Sequence, residues 1–137
     1  MALPLVVDCS AVIPWFLEDE ANTWSERLLS DLATYSLYVP SLWYLEFPNV
    51  LLTAERRGRI SAETRSGLLA RAARLPINPD SRVLPLVEIS RIATEYDLTT
   101  YDAAYLELAL RQACTLATQD KALIRAAARC GVAVTSP

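Results

Sequence analysis

Short apolar segments alternate with longer amphipathic segments along the chain, and this alternation predicts an α/β fold. The continuous apolar run from Leu3 to Val7, followed by Asp8, is typical of a buried strand in a parallel sheet. Further extended segments are predicted at residues 37–39, 75–79, 115–117 and 132–134. Helices are predicted between them, at residues 11–17, 18–33, 42–57, 61–75, 83–96, 102–109 and 121–130. We therefore expect a mostly parallel central sheet flanked by helices, in three α/β/α layers.

The length and the uniform pattern indicate a single domain over residues 1–137. The chain has 137 residues, enough for one hydrophobic core, and it contains no repeat, linker or low-complexity segment. The longest apolar run, from Ala11 to Leu17, is too short to span a membrane, and the N-terminus lacks a secretory pattern. The three cysteines show no paired spacing, so we expect reduced thiols in a cytoplasmic protein.

The composition narrows the possible chemistry. The chain has no histidine, which excludes Ser-His-Asp and Cys-His nucleophiles, histidine-ligated zinc and imidazole acid–base catalysis. The formal net charge of −3 disfavours unaided binding of a polyanion, but divalent cations bound among the acids would reverse that sign. Lys121 is the only lysine, and the other basic residues are arginines, whose guanidinium groups suit phosphate recognition.

Four acidic residues are predicted to meet at one edge of the sheet. Asp8 ends the first strand, and Asp120 follows the strand at residues 115–117. Glu46 lies early in the helix after the second strand, and Asp102 begins a helix. Ligands of open α/β sheets bind at the carboxyl ends of the strands. Carboxylates gathered there repel one another unless cations neutralise them, and hard oxygen ligands favour Mg²⁺ or Mn²⁺. Such a cluster suits hydrolysis of a phosphodiester by a metal-activated water.

Hydroxyl and amide groups accompany these acids. Ser10 and Thr118 each lie two residues from an aspartate, where they can hydrogen-bond the carboxylate or a metal-bound water. Asn49 lies three residues after Glu46 and therefore on the same face of the predicted helix. Pro48 should bend that helix, since its ring clashes with the carbonyl one turn earlier.

Structural roles explain most of these residues one at a time. Asp102 and Asp120 are good N-caps, and so is Ser10. Glu46 fits an ordinary surface acid. Asp8 is harder to explain in this way, because a charge at the end of an apolar strand is costly unless it is paired. The residues alone therefore leave a metal site and a set of structural acids equally open.

Four segments resemble the motifs of PIN-domain ribonucleases, in order and over the whole chain. They are Asp8–Ala11, Glu46–Leu51, Leu98–Ala109 and Thr118–Leu123, and the closing strand at Gly131–Val134 is also similar. The resemblance points to the VapC-type toxins of bacterial toxin–antitoxin pairs. It implies a PIN-like fold and a metal-dependent endoribonuclease that cuts structured RNA such as tRNA or rRNA.

The resemblance also implies a site, by matching position. The catalytic and metal-binding acids would be Asp8, Glu46, Asp102 and Asp120, around Mg²⁺ or Mn²⁺. The supporting residues would be Ser10, Thr118 and Asn49, with Asn49 orienting Glu46. The family further implies a homodimer, and a small cognate antitoxin that fills the cleft and inserts a basic side chain among the acids.

Two other functions fit parts of the sequence. A catalytically inactive interaction module would keep the PIN-like fold, although the complete set of four acids argues against it. A receiver-like phosphoacceptor domain is also an acid-rich α/β fold with a lysine. That fold needs adjacent acids after its first strand, whereas Cys9 and Ser10 follow Asp8 in this chain.

Overall fold

The computed structural model describes residues 1–137, and a five-stranded parallel sheet lies at its centre. The strands are β1 (Leu3–Val7), β2 (Tyr35–Pro40), β3 (Ile77–Asp80), β4 (Thr115–Ala117) and β5 (Val134–Thr135). Their order across the sheet is β3-β2-β1-β4-β5, and every neighbouring pair is parallel. The predicted α/β fold with a parallel sheet is confirmed.

Seven α-helices connect the strands: α1 (Cys9–Val12), α2 (Thr23–Ser30), α3 (Trp43–Arg56), α4 (Ala62–Ala72), α5 (Leu86–Glu95), α6 (Thr100–Gln112) and α7 (Lys121–Cys130). Short 3₁₀ turns add Ile13–Trp15, Glu18–Glu20 and Leu32–Thr34. Because crossovers between parallel strands are right-handed, the reversal of strand order at β1 places helices on both faces of the sheet. None of these helices is both long enough and apolar enough to cross a lipid bilayer.

The reversal of strand order also creates a crevice. β1 lies between β2 and β4, so that Leu5 is paired with Leu37 on one side and with Thr115 on the other. Open α/β sheets bind ligands at such a switch point, outside the carboxyl ends of the strands. Receiver-like domains have the strand order 2-1-3-4-5. The observed order differs, and this topology contradicts the receiver-like alternative.

One predicted helix is divided in the structure. Residues 18–33 form a 3₁₀ turn, then α2, then a second 3₁₀ turn. α2 begins at Thr23 because Asn22 and Ser25 form a capping box, in which Asn22 Oδ1 accepts from Ser25 N at 2.8 Å and Ser25 Oγ accepts from Asn22 N at 3.0 Å. The predicted helix at residues 83–96 likewise begins later, at Leu86, because the residue that precedes a proline is biased away from helix and Pro85 holds the N-cap position.

Helix α6 lies at the centre of the molecule and contacts β1, β2, β4, α5 and α7. It buries a carboxylate, Glu107, which Arg111 neutralises through a hydrogen bond of 2.7 Å from Nε. The same guanidinium group holds both oxygens of Asp80, at 3.1 and 2.7 Å. This network ties α6 to the end of β3, and it gives the helix a fixed position from which Asp102 projects in the first turn.

Candidate functional site

Asp8 occupies the turn between β1 and α1, where the protein surrounds its carboxylate with neutral donors. Oδ1 accepts from the backbone N–H of Ala11 at 3.1 Å and from Ser10 Oγ at 2.6 Å, and Oδ2 accepts from Thr118 Oγ1 at 2.5 Å. Only 7% of the Asp8 surface is exposed. The N-cap of α1 is therefore Asp8, and the prediction that Ser10 fills this position was wrong because Ser10 already lies within the helix.

Thr118 joins Asp8 to another of the four predicted acids, Asp120. Thr118 is fully buried, and its Oγ1 donates to Asp8 while accepting from the backbone N–H of Asp120 at 3.0 Å. Asp120 caps α7 as predicted, with its Oδ2 accepting from Leu123 N at 2.9 Å. One buried hydroxyl thus fixes the ends of β1 and β4 relative to each other.

Asp102 is not the N-cap of its helix. Thr99 fills that position, because its Oγ1 accepts from the backbone N–H of Asp102 at 3.1 Å. The capping role predicted for Asp102 was therefore wrong. As the third residue of α6, Asp102 lies in the first turn, where the unpaired N–H groups favour a negative charge.

Glu46 lies in the first turn of α3, and its only hydrogen-bond donor in the protein is Tyr105. The phenol Oη donates to Glu46 Oε1 at 2.6 Å. Asn49 is exposed and forms no side-chain hydrogen bond with Glu46, so its predicted orienting role stays a prediction. Pro48 lies inside α3, which nevertheless continues to Arg56. Tyr105 was not among the site residues predicted from the sequence. The pattern that could have indicated it is its position three residues after Asp102, on the same face of α6.

Asp8 and Asp120 follow the carboxyl ends of β1 and β4, and the charges of the four acids affect one another. Burial raises the pKa of Asp8 to about 6, against the lowering effect of its hydrogen bonds to Ser10, Thr118 and Ala11, and the charge of Asp120 adds to the rise. Burial also raises the pKa of Asp102, and the charges of Asp120 and Glu46 raise it further.

Uncharged groups fill the space beside the acids. Burial, together with the charges of Glu46 and Asp8, raises the pKa of Cys9 above its ordinary range, so this thiol stays protonated and is a poor nucleophile. Burial, Cys9 and Glu46 raise the pKa of Tyr105 in the same way, so the phenol remains a hydrogen-bond donor. The reactive groups of the site are therefore its carboxylates.

Burial or half-burial without a basic partner distinguishes these four acids, because every other acid of the chain is either exposed or forms an ion pair. Every ion pair in the structure involves an arginine and an acid outside the site, such as Arg59 with Asp19 and Arg65 with Glu55. Asp8 is best compared with Glu107, because these two are the buried carboxylates of the protein. Arginine neutralises Glu107, whereas hydroxyls and one amide surround Asp8.

The donor chemistry fits a hard divalent cation, although the acids are not assembled around one point. The ligand atoms are carboxylate oxygens, and buried Asp8 has no protein cation to balance its charge. No three acidic or thiol side chains stand close enough to hold one metal ion in this conformation. The residues therefore suit Mg²⁺ or Mn²⁺ by type, and binding would require them to draw closer.

Several solved structures share this fold. PAE2754 from Pyrobaculum aerophilum is 25% identical and matches with a TM-score of 0.65, covering 92% of this chain and 87% of that one. FitAcB from Neisseria gonorrhoeae is 17% identical with a TM-score of 0.65, covering 95% of each chain. VapBC2 from Rickettsia felis, solved bound to a DNA fragment from its promoter, is 12% identical with a TM-score of 0.69, covering 98% of this chain and 99% of that one.

The sequence was also compared with curated proteins and with models of protein families. No curated protein matches the chain significantly. The family model described as the PIN domain matches residues 5–129, which include all four acids and nearly the whole sheet. This match extends over most of the chain, from within β1 to the last turn of α7. The chain therefore belongs to the PIN domain family.

Proposed function

We propose that this protein is a metal-dependent endoribonuclease and the toxin of a toxin–antitoxin pair. Membership of the PIN domain family supports a nuclease. The observation that carries the proposal is a set of four buried or half-buried carboxylates whose charges affect one another and which have no basic partner. The proposed metal ligands, and the catalytic residues, are Asp8, Glu46, Asp102 and Asp120.

A divalent cation, when bound, would supply the positive charge that stabilises the developing charge of a phosphodiester in its transition state. Hydrogen bonds within the protein hold two of the proposed ligands, Asp8 and Asp120, in position. Ser10 and Thr118 hold the two oxygens of Asp8 without neutralising them. Asp120 is fixed by its hydrogen bond to the first turn of α7. The acids also repel the RNA backbone, so we expect RNA to bind only after cations have occupied the site.

The proposed partners follow from the motifs. The segments Leu98–Ala109 and Thr118–Leu123 resemble VapC-type toxins, and this resemblance supports a small cognate antitoxin that covers the acids. The fold shared with FitAcB and VapBC2 is consistent with the same assignment. We also propose a homodimer and an RNA substrate of the tRNA or rRNA class on the strength of that resemblance.

The proposed reaction is tested with two site variants and one matched control. Asp8→Asn and Asp102→Asn remove a charge at each proposed ligand, whereas Glu63→Gln removes one from an exposed acid in the first turn of α4. Purified tRNA and rRNA are incubated with each protein, with Mn²⁺ or with a chelator. We expect cleavage by the wild type and the control only when Mn²⁺ is present. Undiminished Mn²⁺-dependent cleavage by either site variant would contradict the proposal.

One observation favours a second candidate, an inactive interaction module with the PIN fold. No three acids converge closely enough to hold a metal ion in this conformation. Titration calorimetry with Mn²⁺ separates the two functions, because the module should give no binding heat. A wild-type heat that Asp8→Asn abolishes would support the nuclease and exclude the inert module.

A further inference from the structure

The hydrogen bond between Tyr105 and Glu46 connects the two helices that supply acids to the proposed site. Tyr105 lies on α6, one turn after Asp102, and only 1% of its surface is exposed. Glu46 lies in the first turn of α3 and is half-buried. The bond of 2.6 Å crosses 59 positions of sequence. Helix α6 thus carries one proposed ligand and holds another.

Glu46 needs such a contact more than Asp8 and Asp120 do. Asp8 has three donors and Asp120 is fixed by a helix cap, and both side chains are short. Glutamate has one more rotatable bond, and the Oε2 atom of Glu46 accepts no hydrogen bond from the protein. The phenol of Tyr105 is therefore the single protein contact of this kind that restricts the carboxylate of Glu46.

The chemical type of the donor is also informative. An arginine or lysine at position 105 would hold Glu46 equally well, but its positive charge would compete with a cation for the carboxylate. A phenol holds the carboxylate by one oxygen and leaves its negative charge in place. Since the ring is buried among α6 and its neighbours, the donor itself has little freedom to move.

We infer that Tyr105 is a positioning residue for metal binding, which acts by holding the Glu46 carboxylate through Oε1 and leaving Oε2 free of protein donors. This inference rests on the proposed function, in which Glu46 binds a divalent cation. Tyr105 itself touches neither metal nor RNA. Its hydroxyl restricts the carboxylate of Glu46, whose charge also acts on Asp102.

The test compares Tyr105→Phe with a matched variant, Tyr38→Phe, by calorimetric titration with Mn²⁺. Both changes remove one phenol hydroxyl, but the half-buried Tyr38 of β2 donates no hydrogen bond. We expect Tyr105→Phe to bind Mn²⁺ about 10- to 100-fold more weakly, as is usual when a group that orients a metal ligand is lost. Tyr38→Phe should bind as the wild type does. Urea unfolding without metal confirms that both variants are folded.

A second background tests whether Tyr105 acts through Glu46. Titration of Glu46→Gln and of the double variant Glu46→Gln/Tyr105→Phe should give equal Mn²⁺ affinities, because the hydroxyl has lost the charged ligand that it holds. A further loss of similar size in the double variant would overturn the inference, since Tyr105 would then act independently of Glu46.

The outcomes also separate this inference from the function on which it rests. If the wild type binds Mn²⁺, Asp8→Asn does not, and Tyr105→Phe binds as tightly as the wild type or more tightly, then the positioning role is wrong and the proposed function stands. If the wild type gives no Mn²⁺ heat and no cleavage, the proposed function and the positioning role both fail. Selective weakening in Tyr105→Phe supports both.

Discussion

Ser10 and Gln119 are joined by two hydrogen bonds across the switch point of the sheet. The backbone N–H of Gln119 donates to Ser10 Oγ at 2.8 Å, and its Nε2 donates to the carbonyl oxygen of Ser10 at 2.7 Å. The side-chain oxygen of Gln119 also accepts from Asn22 Nδ2 at 3.2 Å. The turns that follow β1 and β4, which carry Asp8 and Asp120, are therefore held together by more than Thr118.

Removing the side chain of Gln119 should loosen this connection. In Gln119→Ala the carbonyl of Ser10 and the amide of Asn22 each lose a partner, so we expect the free energy of unfolding to fall by about 1 kcal/mol. Urea denaturation measures this change. Gln112→Ala, at the exposed end of α6, is the control and should leave stability nearly unchanged. Equal stabilities of the two variants would show that the connection contributes little.

The raised pKa of Asp8 predicts an unusual dependence of stability on pH. The folded-state pKa of about 6 lies above the ordinary value of 3.8, so the native state binds more protons than the unfolded state between these values. This contribution to stability is complete below pH 4 and is lost as the pH rises through 6. The loss amounts to about 3 kcal/mol when no divalent cation is present.

Asp8→Asn isolates this effect, because asparagine does not ionise. Denaturant unfolding in the presence of a chelator should show the variant gaining on the wild type by about 3 kcal/mol between pH 4 and pH 7. Relative to the wild type, the variant would thus be most stable near pH 7, although it lacks a proposed metal ligand. Parallel curves for the two proteins over that range would contradict the assigned burial of a charged Asp8.

Divalent cations should stabilise the folded protein by binding at the acids. At a Mn²⁺ concentration of about 100 times the Kd, the free energy of unfolding should rise by about 2.7 kcal/mol. The gain should be smaller at pH 5 than at pH 7.5, because protons compete for Asp8 near its pKa of about 6. Thermal unfolding with and without Mn²⁺ measures it. The control Glu63→Gln should keep the gain and Asp8→Asn should lose it; equal gains would place the metal elsewhere.

The other buried acid should behave as a structural one. Arg111→Ala leaves Glu107 buried without its cation, and we expect the free energy of unfolding to fall by about 3 kcal/mol. Arg91→Ala breaks an exposed pair with Glu95 and should cost less than about 1 kcal/mol.

Mn²⁺ affinity gives the second measurement on this acid. Glu107→Gln should bind Mn²⁺ as the wild type does. A loss of Mn²⁺ binding in that variant would show that the separation of Glu107 from the site acids is wrong.

The sequence predicts the strands of the sheet, and the turns that follow β1 and β4, better than it predicts the bounds of the helices. The strands at β1, β2 and β4 follow from short apolar runs, since a strand buried on both faces needs little else. The segment at residues 18–33 has helical periodicity, but the capping box at Asn22 and Ser25 divides it. Whether such a pair caps a helix or lies inside one depends on tertiary contacts, and periodicity does not contain that information.

The four proposed acids could be named from the sequence because each lies at or near the end of a predicted element. Tyr105 and Gln119 could not be assigned a role in this way. Tyr105 reads as an ordinary core residue of α6, and its hydrogen-bond partner lies in another helix. In the sequence, Gln119 resembles an ordinary loop residue between Thr118 and Asp120. The roles of both depend on distances between segments that only the folded chain defines.

The hydroxyl of Thr118 donates to a carboxylate that lies 110 positions earlier in the sequence. Asp8 is synthesised before Thr118 and Asp120, which follow it by 110 or more positions. A growing chain therefore has β1 but lacks β4, the strand that completes the crevice beside it. Under the proposed function, the order of synthesis itself delays the nuclease. The ribosome that makes this protein faces no complete acid site until β4 and the turn that follows it have been made.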